Sequence, residues 1–197
     1  MPRLFSALRP PRDALDHLAA RLTGLLDAFD ATHADRAAAD LRRSPQEGWH
    51  VTLGFYGEDD LDTRRDWLRP RLSGLRAPRL RLAGAGTFAG VLWAGVRPDG
   101  PADAAALTEL AVAAGAEPEE YVPHLSLARW RRRHEPAAHG RDPVDVRGLT
   151  ALLTDYTGPW FLPTEAYLMR SESVPNGHRY HVEDRLSLIA GATPEQG

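Results

Sequence analysis

The amino-acid sequence predicts an α+β domain whose strands pair mainly antiparallel. Strand-like segments outnumber helical ones, and several are joined by short turns rather than by long crossovers. Two of these segments carry the same four-residue pattern of histidine, aliphatic residue, hydroxyl residue and leucine, at 50–53 and 124–127. With 197 residues and no low-complexity linker, the chain is expected to form one domain over 1–197.

The predicted elements follow from hydrophobic spacing and from turn residues. Leucines recur at helical spacing after Asp13, which can cap the first helix, and Pro70 should break or kink the second. Residues 30–48 show no strand pattern, and turns are expected at 44–48 and 175–177. The predicted strands are 4–8, 49–56, 79–83, 91–96, 121–130, 149–154, 165–171 and 180–188, and the predicted helices are 13–26, 61–75 and 102–115.

Composition excludes several kinds of chemistry. All 24 basic residues are arginines, so lysine cannot be a nucleophile or a phosphate ligand. The absence of cysteine excludes disulfides and thiolate ligands, and a net charge of -3 argues against bulk coating of nucleic acid. The first apolar run is too short for a signal peptide, and no stretch approaches the roughly 20 apolar residues of a membrane span. We therefore expect a cytoplasmic protein with no membrane partner.

The first histidine motif has two chemically different faces. Successive side chains of a strand point to opposite sides of the sheet. His50 and Thr52 should therefore share one face, while Val51, Leu53 and Phe55 share the other. The apolar face is expected to pack into the core, which leaves the histidine and the hydroxyl facing a cleft.

The second motif repeats this arrangement, with His124 and Ser126 on the face opposite Leu125 and Leu127. One such tetrapeptide is weak evidence, because a lone strand histidine is more often structural than catalytic. Two copies in strand-like contexts are much harder to attribute to chance. The pair favours a site built from both motifs.

Two histidines suit the hydrolysis of a cyclic phosphodiester. The reaction needs a base to activate water and an acid to protonate the departing ribose oxygen, and histidine can do either near neutral pH. Hydroxyl groups one pleat along the strand can hydrogen-bond the non-bridging phosphate oxygens. The scheme requires no metal.

These segments resemble the bacterial RNA 2′,3′-cyclic phosphodiesterases of the two-histidine (2H) phosphoesterase superfamily, historically labelled 2′-5′ RNA ligases. The resemblance covers nearly the whole chain. Its matching segments are 3–8 with Pro10-Pro11, 47–58, 84–88, 92–96, 123–129, 166–171 and Tyr180.

The resemblance implies a bilobal fold with pseudo-twofold symmetry, in which two antiparallel sheets form a V-shaped cleft with helices outside. It implies conversion of a terminal 2′,3′-cyclic phosphate to a 2′-phosphate, without cofactor or metal, and weak 2′-5′ ligation in some members. By position, the catalytic pair is His50 and His124, and Thr52 and Ser126 bind phosphate. Arg129 matches an arginine that contacts phosphate or nucleotide.

Three further expectations concern this site. Strict alternation would place Arg129 opposite His124, so its role requires a bulge or a strand end. We expect His124 to be the base and His50 the acid, although the sequence is compatible with either order. Tyr56, on the same nominal face as His50, is the preferred candidate for stacking a terminal base. The expected partners are RNA 3′ ends or nucleotides that carry a 2′,3′-cyclic phosphate, bound by a monomer.

Other conspicuous residues have simpler interpretations. His178 and His181 are interpreted as solvated residues rather than metal ligands, because no carboxylate pattern lies nearby. The run Arg131-Arg132-Arg133 is interpreted as solvated, with contact to an entering RNA strand as the alternative. Trp49, Trp93 and Trp130 could also stack a base, but most aromatic residues in strands belong to the core.

Two rival functions stay open. One is a 2H enzyme acting on a small cyclic phosphate, such as ADP-ribose 1″,2″-cyclic phosphate or a cyclic oligonucleotide. The other is a non-catalytic module that binds RNA ends. The presence of both histidines and both hydroxyls counts against the second.

Overall fold

The computed structural model describes residues 1–32, 41–88, 90–130, 146–151, 153–175 and 177–191. The predicted basic loop, with Arg131-Arg132-Arg133, and Asn176 of the predicted turn lie outside the described residues.

Short strands dominate the described chain. The strands are β1 Arg3–Leu8, β2 Leu41–Arg43, β3 Val51–Glu58, β4 Arg76–Ala77, β5 Leu80–Phe88, β6 Val91–Pro98, β7 His124–Trp130, β8 Glu165–Val174, β9 Gly177–Ser187 and β10 Ile189–Ala190. The helices are α1 Arg12–Thr32, α2 Leu61–Leu72, α3 Pro101–Ala113 and α4 Val146–Ala151, with a 3₁₀ turn at Gln46–Gly48. None of the helices in these described ranges combines the length and apolar composition needed to cross a bilayer.

Most strands form one curled antiparallel sheet in the order β5-β6-β7-β3-β1-β8-β9, with β2 paired to β7. The strands β4 and β10 form a separate parallel pair. Within the described residues, a single residue pair, Val51 with Leu125, joins β3 to β7. The sheet therefore opens at its centre into two halves. The predicted bilobal α+β fold is confirmed, and its two sheets are halves of one curled sheet.

The two halves repeat the same chain path. In one half β1 leads through α1 to β3, and in the other β6 leads through α3 to β7. The strand β1 lies between β3 and β8, and the strand β6 lies between β7 and β5. This repeat places the two histidine motifs on neighbouring central strands, which explains their similarity in sequence.

Leucines fill the main core between the sheet and the helices. Leu8, Leu18, Leu110, Leu125 and Leu168 are all fully buried there. A smaller apolar cluster covers the opposite face of the sheet, and its buried members are Phe5, Ala7 and Met169. We call this opposite face the cleft face, because it lies on the open side of the curled sheet.

Helix α2 continues through its proline. Asp60 caps its N-terminus by accepting from the Thr63 amide at 2.9 Å. Pro70 lies two residues before the helix ends at Leu72, on an exposed side where solvent can hydrogen-bond the freed carbonyl. The proline therefore shortens the predicted helix without breaking its middle.

Two sequence predictions about elements are wrong. The segment predicted as a strand at 149–154 begins within helix α4, Val146–Ala151. A short run that contains leucines is compatible with the spacing of a helix or of a strand. Burial of Leu153 and Tyr156 in the main core accompanies the helical form. The strand β2, Leu41–Arg43, was not predicted, because its polar sequence carries no strand signal and its pairing with β7 is non-local.

Candidate active site

The two histidines meet where the half-sheets join. Val51 and Leu125, which follow the two histidines, are directly paired. Because the two strands are antiparallel at this pair, the histidine end of each motif lies toward the hydroxyl residue of the other. In agreement, Thr52 and His124 line the same cavity. The two motifs therefore build one site rather than two.

Both imidazole rings are held in the same way. Nδ1 of His50 lies 2.6 Å from the carbonyl oxygen of Gly48, and Nδ1 of His124 lies 2.7 Å from that of Val122. A carbonyl oxygen can only accept a hydrogen bond, so Nδ1 carries the proton in each ring. In the neutral ring Nε2 is then unprotonated and can accept a proton from a reacting group.

Burial lowers the pKa of His50 from 6.5 to about 4. The hydrogen bond to Gly48 opposes this shift, while the positive charges of Arg129, His124 and Arg9 add to it. His50 is therefore neutral at pH 7.

The pKa of His124 is also lowered, first by burial and then by the charge of Arg129, against the opposing hydrogen bond to Val122. Both rings are thus neutral in the free protein at pH 7. An anionic ligand beside them would offset the charge of Arg129 and raise both pKa values.

A bulge in β7 brings Arg129 to the cleft face. Ser126 and Ala128 both pair with residues of β6, and Leu127 is an extra residue between them. The extra residue reverses the alternation, so that Arg129 shares the face of His124 and Ser126. Its guanidinium lies 3.5 Å from the Ser126 hydroxyl. The bulge that the sequence analysis required for Arg129 is therefore present.

A matching bulge in β3 brings Phe55 to the cleft face. Thr52 and Gly54 pair with consecutive residues of β1, and Leu53 is the extra residue between them. Phe55 consequently pairs with Phe5 of the cleft-face cluster, and 67% of its surface is exposed. The prediction that Phe55 shares the buried face of the strand is wrong for this reason.

Tyr56 lies on the other side of the sheet from the first histidine. The bulge at Leu53 puts its ring on the side of the helices, where the hydroxyl lies 2.7 Å from Ser6 Oγ and donates to the Ala114 carbonyl at 3.0 Å. Trp67 packs against the ring, and the Arg64 guanidinium lies 4.2 Å from its centre. The expectation that Tyr56 shares the face of the catalytic residues is wrong, and its hydroxyl is engaged in the core.

Aromatic side chains enclose the ring of His50. The ring centres of Phe5 and Tyr180 lie 4.8 Å and 4.9 Å from that of His50, with Tyr180 edge-on. A side chain at Gly48 would come within 3.3 Å of the Tyr180 ring. The glycine thus lets Tyr180 pack over the carbonyl that orients His50, which makes Tyr180 part of the site.

A second aromatic pair flanks His124. The ring of Phe88 meets it edge-on with centres 4.8 Å apart, and Trp93 lies 6.3 Å away. Trp93 rests on Gly86, where a Cβ atom would come within 2.2 Å of the indole. Any side chain at Gly86 would therefore displace this wall of the site.

A cavity of about 580 Å³ opens beside His124. Phe55 and Phe88 are both exposed large apolar residues, an arrangement that favours a flat ligand. We call this cavity the aromatic recess; its lining includes Thr52, Phe55, Phe88, Glu117, Glu120 and His124.

The remaining aromatic candidates have other roles. Trp49 and Trp130 are buried in the main core, and the indole of Trp49 donates to the Ser44 carbonyl. They offer no surface for stacking, as the general preference of strand aromatics for the core predicts. Trp93 differs from these two because its ring lies 6.3 Å from that of His124.

The C-terminal histidines pair with neighbouring side chains on the hairpin of β8 and β9. His178 Nδ1 lies 3.2 Å from Ser171 Oγ, and His181 Nε2 lies 2.8 Å from a Glu172 carboxylate oxygen. Among the described residues, no group of three or more His, Cys, Asp or Glu side chains is arranged to hold a metal ion.

Three site residues were missed as candidates from sequence, namely Tyr180, Phe55 and Phe88. Tyr180 was noticed only as part of a resemblance, since it lies far along the chain from either histidine. Phe55 was assigned to the wrong face because a bulge cannot be inferred from alternation. Phe88 was noticed only within segment 84–88 of the same resemblance and was given no role.

Comparisons with known proteins agree with this architecture. A family model for LigT-like phosphoesterases matches residues 10–97, which include the first histidine motif. Escherichia coli LigT complexed with 3′-AMP aligns over 95% of this chain and 98% of its own, with 21% identity and a TM-score of 0.62. Its complex with phosphate aligns over 95% and 97%, with 21% identity and a TM-score of 0.61.

A protein from Thermus thermophilus, TT0787, aligns over 95% of this chain and 98% of its own, with 25% identity and a TM-score of 0.59. A comparison with curated protein sequences gives no significant match.

The chain therefore has the fold of E. coli LigT, and its residues 10–97 are similar to the LigT-like phosphoesterases.

Proposed function

We propose that this protein hydrolyses the 2′,3′-cyclic phosphate at the end of an RNA chain to a 2′-phosphate. The observation that carries the proposal is the pair of neutral histidines, each held through Nδ1 and placed near a hydroxyl where the half-sheets meet. E. coli LigT, of the same fold, has been crystallised with phosphate and with 3′-AMP, which are ligands of related chemistry.

The proposed reaction is an in-line displacement at phosphorus. One histidine takes a proton from water as the water oxygen bonds to phosphorus. The bond from phosphorus to the ribose 3′ oxygen breaks, and the other histidine gives that oxygen a proton. The product keeps phosphate on the 2′ oxygen. Each acid or base contributes about 10²- to 10⁴-fold to the rate.

Three side chains would stabilise the charge that develops on phosphate. Thr52 and Ser126 donate hydroxyl hydrogen bonds to the non-bridging oxygens, and the exposed guanidinium of Arg129 supplies a positive charge. Arg129 acts electrostatically on both histidines, so an oxygen between them would lie within its influence. The terminal base would stack in the aromatic recess, on Phe55 and Phe88.

The order of the catalytic roles is His124 as base and His50 as acid. An acid must hold a proton, and the pKa of His50 is about 4 in the free protein. Phosphate bound beside the ring would raise that pKa by offsetting the nearby cations. The same phosphate would also raise the pKa of His124, so the modified substrate described below decides the order of the two roles.

The first test is hydrolysis of an RNA oligomer ending in a 2′,3′-cyclic phosphate, with EDTA present and the product phosphate identified. Wild type should yield a 2′-phosphate, and His50→Gln and His124→Gln should each lose at least about 10²-fold in rate. His181→Gln is the matched control, because His181 forms an exposed pair with Glu172 on the hairpin. Binding of the oligomer without turnover by wild type would instead favour a binding module.

A modified substrate separates acid from base. A cyclic phosphate with sulfur in place of the 3′ oxygen has a leaving group that needs little protonation. This substrate should restore activity to His50→Gln and not to His124→Gln. Rescue of His124→Gln instead would reverse the assigned roles.

A further inference from the structure

A second depression lies on the opposite flank of the site, beyond His50. Its volume is about 440 Å³, and its lining includes Arg9, Gln46, Thr164 and Tyr167. It opens beside the 3₁₀ turn Gln46–Gly48, whose last residue orients the imidazole of His50. We call it the upstream depression.

The register of the sheet connects this depression to the catalytic centre. Thr52 of β3 pairs with Ala7 of β1, and Ala7 pairs in turn with Tyr167 of β8. Neighbouring strands lie about 4.8 Å apart, so Tyr167 is about 10 Å from Thr52 across the cleft face. A ligand that extends one nucleotide beyond the reacting phosphate can span that distance.

Arg9 is available to bind an anion in this depression. Its guanidinium makes a long contact of 3.4 Å with the Glu47 carbonyl, and no carboxylate within the described ranges lies within ion-pair distance of it. By contrast, Arg185 on the same flank already pairs with Glu165. Arg9 lines the depression, and its charge also acts on His50 and Tyr167.

The two flanks of the site differ in charge. The lining of the aromatic recess includes the carboxylates of Glu117 and Glu120 and no arginine. A phosphodiester entering there would be repelled, whereas an uncharged base would not. The upstream depression is lined by Arg9 and Arg12 as well as by Glu47 and Glu165, and Glu165 is neutralised by its ion pair with Arg185. The RNA backbone is therefore expected to leave the site on the side that carries Arg9.

We infer that the upstream depression binds the nucleotide that precedes the terminal one, with Arg9 as the ligand of the phosphodiester between them. The inference rests on the proposed function and extends it to the direction in which RNA crosses the cleft. Arg9 would then make the enzyme prefer RNA ends to nucleoside 2′,3′-cyclic phosphates. The latter lack the phosphodiester that Arg9 recognises.

The test compares two substrates that differ only in the upstream nucleotide. These are a nucleoside 2′,3′-cyclic phosphate and the dinucleotide that ends in the same group. Wild type should show a kcat/KM at least about tenfold higher on the dinucleotide, as expected for a charge-assisted hydrogen bond. Arg9→Gln should remove that preference, and added salt should reduce it in wild type.

Two control variants make the outcome specific. Arg3→Gln changes an exposed arginine at the other end of β1 and should keep the full preference. Arg9→Lys retains the positive charge and should keep part of the preference for the dinucleotide. Equal kcat/KM for both substrates in wild type, or an unchanged preference in Arg9→Gln, would overturn the inference. Failure of wild type to hydrolyse either substrate would instead overturn the proposed function.

Discussion

The imidazole of His50 lies in surroundings that oppose its protonation. Its pKa of about 4 is below the 6.5 expected in the unfolded chain, so between these values the unfolded state binds more protons. The free energy of unfolding should therefore fall as pH decreases from 6.5 to 4. Protonation of this one group should lower the free energy of unfolding by about 3 kcal/mol at pH 4 and below. Above pH 6.5 there is no such loss.

This prediction is checked by urea unfolding at several pH values. His50→Gln should flatten the dependence between pH 4 and 6.5, because glutamine does not titrate. The variant His181→Gln should keep the pH dependence of wild type. An equally steep dependence in His50→Gln would show that other groups cause the loss of stability.

Adjacent aromatic residues on β3 should have opposite mutational effects. Tyr56→Phe removes the hydroxyl that bonds Ser6 and Ala114, so the free energy of unfolding should fall by about 1–2 kcal/mol with kcat/KM unchanged. Phe55→Ala changes an exposed ring in the aromatic recess, so stability should change by less than about 0.5 kcal/mol. Its kcat/KM should fall about tenfold through lost stacking.

Urea unfolding and steady-state kinetics on both variants check this contrast. The two mutations serve as controls for each other, because they alter neighbouring aromatic residues. A lower kcat/KM with an unchanged free energy of unfolding in Tyr56→Phe would show that Tyr56 acts in the site.

At the scale of elements, the bulges of β3 and β7 decide which side chains reach the cleft. Each bulge follows the hydroxyl residue of its motif, and each turns a later residue of the strand onto the cleft face. In β7 that residue is Arg129, and in β3 it is Phe55. The same local distortion thus supplies a cation on one strand and an aromatic surface on the other.

The contact between β3 and helix α3 depends on a glycine. A Cβ atom at Gly54 would lie 2.3 Å from the Ala114 carbonyl oxygen and 2.9 Å from the Tyr56 hydroxyl. Gly54→Ala should therefore reduce the free energy of unfolding by about 1–3 kcal/mol, because the helix must move away from the strand.

Gly24→Ala is the matched control for this substitution. Gly24 lies in helix α1 with no atom within 4 Å of its Cβ position, so alanine should stabilise the protein by about 0.5–1 kcal/mol. Thermal unfolding of both variants gives the comparison. A stable Gly54→Ala protein would mean that the helix and strand are less tightly packed than the structure indicates.

For the whole molecule, the site is shared between two half-sheets that meet at one residue pair. A phosphate bound between the histidines would contact both halves and stabilise the folded state. A nucleoside 2′-monophosphate at 100 times its Kd should add about 2.7 kcal/mol to the free energy of unfolding. For a chain of this length, Tm should then rise by about 5–10 °C.

Thermal unfolding with and without this product tests the shared site. At the same ligand concentration, Arg129→Gln should show a clearly smaller rise in Tm, because the ligand loses its cationic partner. Arg3→Gln should behave like wild type. A full rise in Arg129→Gln would place the phosphate away from this arginine.

The sequence by itself was sufficient for the α+β class, the bilobal architecture and the residues proposed for the chemistry. His50, Thr52, His124 and Ser126 could be found because each pair lies two residues apart on one strand, where strict alternation holds. The need for a bulge before Arg129 could also be stated from alternation alone. These features are local, and local spacing is what a sequence records.

Tertiary structure alone decided which face Phe55 and Tyr56 occupy, whether Leu153 follows a helix or lies in a strand, and how far burial lowers the pKa of His50. Each depends on partners far along the chain, such as β1 for the bulges of β3 and Tyr180 for the enclosure of His50. A bulge changes the register by one residue without changing composition or hydrophobicity. The aromatic recess and the position of Arg9 depend in the same way on the packing of distant segments, which no short sequence pattern encodes.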